Sequence, residues 1–304
     1  MRSSAALAGV DGMTLQDRLD QLDLGPADLA LANGLLAGMT GAPLDQASFS
    51  NALRWWALGE YNYASFIQSL MGFKFENGTR SLLERILADG DAEVRLSHVV
   101  SAIDADDHGV RVTVDTGEVV SAAAVVVATP PGVWPDLAIT PGLPENWLRS
   151  AREGMQVENG AEAAAVIKGE SRSLELTTAR GVGMFTSHVL SDDEQIVTLF
   201  PGALDDPTDI TQVQAELASA LPGVEVLEMV ADTYNLDNPF ARGDWGFLRP
   251  GQLTTYQPHT MRRHGERLFF ANSEVADLWV GFIDGAIETG LHAGRDICQL
   301  LETK

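Results

Sequence analysis

Apolar residues in the first seventy positions recur at helical spacing. Leu15, Leu19, Leu22 and Leu24 fall near one face, and Pro26 follows Gly25, where proline suits the first turn of a second helix. Residues 27–36 continue that pattern until Gly38 and Gly41 break it. Ser48 or Ser50 is placed to cap a further helix that carries Leu53, Trp55, Trp56 and Leu58, then Tyr61 and Tyr63. No strand signal precedes residue 92.

The period then changes. Val94, Leu96, Val99, Val100 and Ile103 form a strand pattern, and Asp106-Asp-His-Gly109 turns the chain. Val110, Val112 and Val114 alternate, Thr116-Gly117 turns again, and residues 119–128 return as one strand. The result is a small antiparallel unit, stopped by Thr129-Pro-Pro-Gly132. Residues 163–168, 183–190, 195–200 and 224–231 are further strands, and 210–221 is a helix with Asp209 as its cap. An irregular loop spans 238–250. The chain closes with a strand at 267–271 and a helix from about 280 to 301. This mixture predicts an α/β fold.

Charge narrows the partners. Twenty basic against forty-three acidic residues give a net charge of −23. That disfavours nucleic acid and anionic membrane, which need a basic surface, and favours a cationic small molecule. No apolar run is long enough to cross a bilayer. The first ten residues make a poor signal peptide. The single cysteine, Cys298, excludes an internal disulfide and fits a reducing, cytoplasmic compartment. His259 and His264 lie at non-ligand spacing in a loop and read as solvated.

The chemistry concentrates in the last stretch. Leu268-Phe-Phe-Ala-Asn-Ser-Glu274 runs an apolar strand into a polar turn, and Val280-Gly-Phe-Ile-Asp-Gly-Ala-Ile-Glu-Thr-Gly290 opens a helix. Gly281, Gly285, Ala286 and Gly290 keep one helix face nearly free of side chains, so a large ligand could lie against the backbone. Three other places carry motifs: Asn77-Gly-Thr79 before a helix, Ala124-Val-Val-Val-Ala128-Thr-Pro-Pro131, and Ala165-Val-Ile-Lys168. A fourth is Asn238-Pro-Phe-Ala-Arg-Gly243-Asp-Trp245-Gly-Phe-Leu-Arg-Pro250-Gly-Gln252.

In this order the motifs resemble those of the flavin-dependent amine oxidases, from about residue 72 to the end. The resemblance implies a flavin amine oxidase-like α/β fold of two interleaved domains. The substrate domain would use 1–71 and 155–239, and the FAD-binding domain 72–154 and 240–304. It implies FAD as cofactor and a small-molecule amine as substrate. Gly78, Val100, Pro130, Asn272, Ser273, Glu274 and Gly281 would contact the cofactor. Lys168 would hold a water beside the reactive flavin nitrogen, and Trp245 (or Phe247) and Phe282 would frame the amine. Two departures stand out: Asn272 where the family has glycine, and Phe282 where tyrosine is more usual.

The family's pyrophosphate cradle, a strand followed by Gly-x-Gly-x-x-Gly and a helix, has no counterpart here. The nearest string, Gly181-Val-Gly183, lacks the third glycine and runs into a strand pattern. The leading expectation is an amine oxidase-like flavoprotein, inactive alone for want of that cradle. The alternatives are a subunit of a heteromeric oxidase whose partner brings the cradle, or a non-catalytic remnant that binds a small molecule or partner.

Overall fold

The computed structural model describes residues 5–155, 159–169, 175–178, 183–200, 209–235 and 238–302. They form two compact units, each built from several stretches of chain. Unit 1 holds residues 1–50, 129–133 and 149–257, and unit 2 holds 51–128, 134–148 and 258–304. Both units are discontinuous in sequence, with residues 51–71 in unit 2 and residues 240–257 in unit 1.

The chain opens with α1 (Ala5–Asp11), α2 (Leu15–Asp20) and α3 (Pro26–Thr40). Thr14 and Asp17 close a reciprocal capping box at the start of α2. Helix α3 runs through Gly38 and stops before Gly41, whose φ of 60° ends it. Glycine inside a helix costs about 1 kcal/mol, too little to break a fifteen-residue element. Then come α4 (Phe49–Leu58) and α5 (Tyr63–Met71). They are separate helices, because Glu60 and Tyr61 turn to positive φ and Asn62 caps α5 by accepting from Ser65 N. Helix α6 (Gly78–Asp89) follows.

The next elements are β1 (Val100–Ala105), β2 (Val110–Val114), β3 (Val119–Ala122), β4 (Val125–Val127), β5 (Ala138–Thr140) and α7 (Glu145–Glu153). Strands β3-β2-β1-β5 make one sheet in that order, with β5 parallel to β1. Residues 119–128, expected as one strand, divide between two sheets. β3 pairs antiparallel with β2, while β4 pairs parallel with a strand near the C-terminus. Residues 92–99 form no strand; all of them are exposed. Their alternation belongs to a segment that this chain leaves uncovered.

Unit 1 contains β6 (Asn159–Lys168), β7 (Glu175–Thr177), β8 (Gly183–Val189), β9 (Glu194–Phe200), α8 (Ile210–Ala220) and β10 (Glu225–Asn235). The antiparallel sheet runs β10-β6-β9-β8-β7. One face, with Ala163, Ala165, Ile167, Met184, Val197 and Leu199, packs under Val213 and Leu217 of α8. Asp209 caps that helix as expected, its carboxylate accepting from Thr211 N at 2.8 Å. Helix α9 (Gln252–Tyr256) lies nearby in sequence. Asp11 is buried, accepts from Ser50 Oγ at 2.6 Å and from Thr254 N at 2.9 Å, and so ties the helical start to the 251–254 turn.

Unit 2 closes with β11 (Arg263–His264), β12 (Leu268–Phe270) and α10 (Ile283–Glu302). Its small sheet runs β11-β12-β4. Phe269, Ala271 and Ala293 form a core with Ala124, Ile297 and Leu300. Arg267 is fully buried, and its guanidinium donates to Ala123 O at 2.8 Å and Asp107 O at 2.7 Å. That clamp holds the break between β3 and β4. His264 is half-buried rather than fully solvated: its ring meets Trp147 at 6.1 Å, and its Nε2 is buried. Among the described residues no helix is long and apolar enough to cross a membrane.

Candidate functional site

The polar turn after β12 is fixed by its own side chains. Asn272 has extended backbone, with φ −155°, and its carboxamide oxygen accepts from Glu274 N at 3.1 Å and Val275 N at 3.2 Å. Asparagine thus satisfies two amides that a glycine would leave without a side-chain partner. Thr289 of α10 donates its hydroxyl to Asn272 O at 3.1 Å, and Ser273 O accepts from Gly281 N at 3.4 Å. Gly281 has φ +85°, a region that favours glycine. The glycine-lined face of α10 divides into two parts. A β-carbon at Gly285 would lie 2.2 Å from Trp279 O, so that glycine serves close packing inside the chain. Around Gly290 there is open space.

Glu274 is 4% exposed. Burial pushes its carboxyl up from 4.5 to about 7, against its own backbone amide and the Ser273 hydroxyl, which both lower it. The loop beyond it is held by charge. Glu288 accepts from Asp277 N at 2.9 Å and Leu278 N at 3.2 Å, and Arg262 reaches Glu288 and Asp277 at 3.2 Å each. Arg54 of α4 donates to Asp277 O at 3.0 Å, and desolvation lowers its pKa against the pull of Asp277 and Glu288.

That loop sets the aromatic side of the site. Phe282 lies edge-on to Trp55 and to Trp279, each at a centroid distance of 5.3 Å. The sequence reading named Phe282 but missed both tryptophans as its neighbours. Trp55 reads as helix core and Trp279 as loop, and spacing alone does not connect residues so far apart.

The other expected residues stand as follows. In unit 2, Gly78 opens α6 with φ +74° and open space around it, and Asn77 gives no side-chain cap. Val100 begins β1 opposite Val114 and is half-buried. In unit 1, Pro130 is half-buried and its carbonyl accepts from Val133 N at 3.1 Å. Trp245 is half-buried and meets the Phe200 ring at 6.1 Å and 83°. Lys168 ends β6 on the face opposite the α8 core, in register with Glu194 and Glu225, its Nζ 3.5 Å from Asp193. Unit 2 therefore brings Asn272, Ser273, Glu274, Gly281 and Phe282 together, while Lys168 and Trp245 belong to unit 1.

A strand–turn–helix with a buried acid and a glycine-entered helix defines a cofactor-type site, and the family model for flavin containing amine oxidoreductases matches residues 15–298. The chain belongs to that family. It is 33% identical to pseudooxynicotine dehydrogenase of a Pseudomonas species, over 98% of this chain and 61% of that protein. It is 31% identical to (S)-6-hydroxynicotine oxidase of Paenarthrobacter nicotinovorans, over 90% of this chain and 64% of that one. The chain thus spans less than two thirds of these curated relatives. Among solved structures, cyclohexylamine oxidase from Brevibacterium oxydans superposes with a TM-score of 0.78 at 19% identity, covering 99% of this chain and 70% of that one. The fold is the flavin amine oxidase α/β fold, and the family's cofactor is FAD.

At the start of α10, the Gly281 turn and the ring of Phe282 leave room for a flat aromatic ring system, and Gly290 further along has open space around it. Among the described residues no glycine loop between a strand and a helix offers a pyrophosphate cradle. Gly183 is the first residue of β8, and residues 181–182 lie outside the described residues.

Proposed function

We propose that this chain provides the substrate-facing part and the flavin-ring wall of a flavin amine oxidoreductase. The observation that carries the reading is Phe282, clamped edge-on between Trp55 and Trp279 beside the Glu274 turn. When bound, FAD supplies the electron sink for loss of a hydride from the amine α-carbon, with oxygen taking the electrons as hydrogen peroxide and water hydrolysing the imine. The chain's own share is binding and orientation. Ring faces attract a cationic amine by about 0.5–2 kcal/mol per contact, and the acidic surface adds a weak long-range pull. By the family resemblance alone, Trp245 is assigned an aromatic contact with the amine and Lys168 a water for the reaction.

The experiment is amine-dependent bleaching of the visible flavin spectrum, followed by peroxide release, in the FAD-loaded protein. Nicotine and pseudooxynicotine, named in the relatives, are the first amines to try. Phe282→Ala is expected to raise KM for the amine about tenfold with FAD retained. Lys168→Met is expected to lower turnover tenfold or more. No loss of turnover would leave Lys168 only its ion pair with Asp193. Absence of amine-dependent bleaching under all these conditions would overturn the reading.

A further inference from the structure

A cleft of about 330 Å³ borders α10 within unit 2. That lies in the size range of small-molecule sites. Phe270 and Ala293 back it, and Arg262, His292, Arg295 and Asp296 supply its charged and imidazole groups. Hydrogen-bond accounting leaves donors over. A guanidinium has five N–H groups, and four of those on Arg262 are taken. Nε donates to Val275 O at 2.9 Å and Nη1 to His292 Nδ1 at 3.1 Å, while Nη2 serves Glu288 and Asp277 at 3.2 Å each. The second Nη1 hydrogen has no partner among the described residues. An arginine N–H can only donate, so His292 Nδ1 accepts and the ring hydrogen sits on Nε2. Among the described residues that Nε2–H has no partner, and Arg295 makes no ion pair or hydrogen bond. Three nitrogen donors, two of them on guanidinium groups, thus border one cleft.

The opposing charge nearby is mostly committed. Glu288 accepts from the amides of Asp277 and Leu278 as well as from Arg262, and Asp277 shares the same guanidinium. Asp296 is the acid of the cleft left uncommitted, and it is exposed. The net charge of −23 works against general adsorption of anions, so an anion held here is held by these donors.

We infer that this cleft binds a small oxyanion, a carboxylate or a phosphate, between Arg262, His292 and Arg295, and that the bound anion regulates the amine site. N–H groups on cations make short, strong bonds to such oxygens. Regulation follows from a chain of contacts. Arg262 holds Glu288, Glu288 holds the amides of Asp277 and Leu278, and that loop leads to Trp279 and Phe282. An anion on the last donor of Arg262 leaves its other bonds in place and steadies the loop. The regulatory consequence rests on the proposed function, whereas the binding itself does not.

The test is calorimetry of the 304-residue chain with inorganic phosphate and with benzoate, at an ionic strength matched with sodium chloride. One-to-one binding is expected. Arg295→Ala and His292→Phe should each weaken it about tenfold, and Asp296→Asn should tighten it about threefold. Arg295 is exposed and makes no polar contact among the described residues, so its variant reports binding rather than folding. Filling the cleft should slow hydrogen exchange at the Asp277 and Leu278 amides about threefold. Binding of either anion upholds the site, and the preference between them names the ligand class. No binding of either would overturn the inference, as would binding that both weakening variants leave unchanged. Binding with unaltered exchange at Asp277 and Leu278 would overturn the regulatory role. Neither readout needs flavin or turnover, so an anion that binds to a chain unable to oxidise amines would sink the proposed function and leave this site standing.

Discussion

The antiparallel sheet of unit 1 and the three-stranded sheet of unit 2 differ in how fully they are covered. In unit 1 the antiparallel sheet has a buried face closed by α8, and β9 alternates strictly between buried and half-buried positions. In unit 2, β12 is buried at all three positions, yet its parallel neighbour β4 is buried only at Val127. Antiparallel strands can leave a face to solvent, whereas parallel strands need cover throughout. Unit 1 therefore has the burial of a finished module, and unit 2 that of a module with one side open. The contrast is sharpest between α8, which inserts Val213 and Leu217, and α6, which inserts nothing.

The strongest way to break this comparison is to remove a core contact from unit 1. Leu217 is fully buried against the sheet. Leu217→Ala is expected to cost about 2–5 kcal/mol, from lost transfer and the cavity left behind. Urea unfolding followed by hydrogen exchange in β6 and β9 reads it. A loss under 1 kcal/mol would mean that the face is less tightly closed than its burial implies.

Much of unit 1 was legible in the sequence, because its signals are local. Alternation in residues 195–200, the Asp209 cap and the helix after it all act within a few residues. Unit 2 was legible only in part, for two physical reasons. The parallel pairing of β4 with β12 joins residues more than a hundred positions apart, so the run 119–128 gave no sign that Arg267 would split it between two sheets. Its apolar patterns also include surface this chain does not bury, so Val94 and Leu96 read as strand and stand exposed. At the candidate site, the turn residues Asn272, Ser273 and Glu274 were visible as a motif. The anchoring of that region by Arg54, Glu288 and Thr289 was not, since nothing in spacing marks a side chain that bonds a distant carbonyl or amide.

The buried acid gives an effect of similar size confined to unit 2. Glu274 carries a native pKa of about 7 against 4.5 when unfolded. Between those values the native state keeps a proton that the unfolded chain has released. Stability of unit 2 is therefore highest below about pH 4.5 as far as this group is concerned, falls as pH rises toward 7, and levels off above it. The full difference is on the order of 3 kcal/mol. Glu274→Gln is expected to remove that slope and to leave unit 1 unchanged. Denaturant midpoints measured from pH 5 to 8 check this, and an identical slope in the variant would assign it to other groups.

The smallest expected effect gives the sharpest view of the comparison, because it sets one exposed apolar residue against a buried one of the same kind. Leu83 is 57% exposed in a helix with no buried residue. Since it is mostly exposed, Leu83→Ala should change the stability of the isolated chain by less than about 0.5 kcal/mol, unlike Leu217→Ala. Both residues are leucines within helices, so propensity changes are shared and the difference reports burial alone. If Leu83→Ala instead cost about 2 kcal/mol or more, α6 would already be covered within this chain, and unit 2 would be as closed as unit 1.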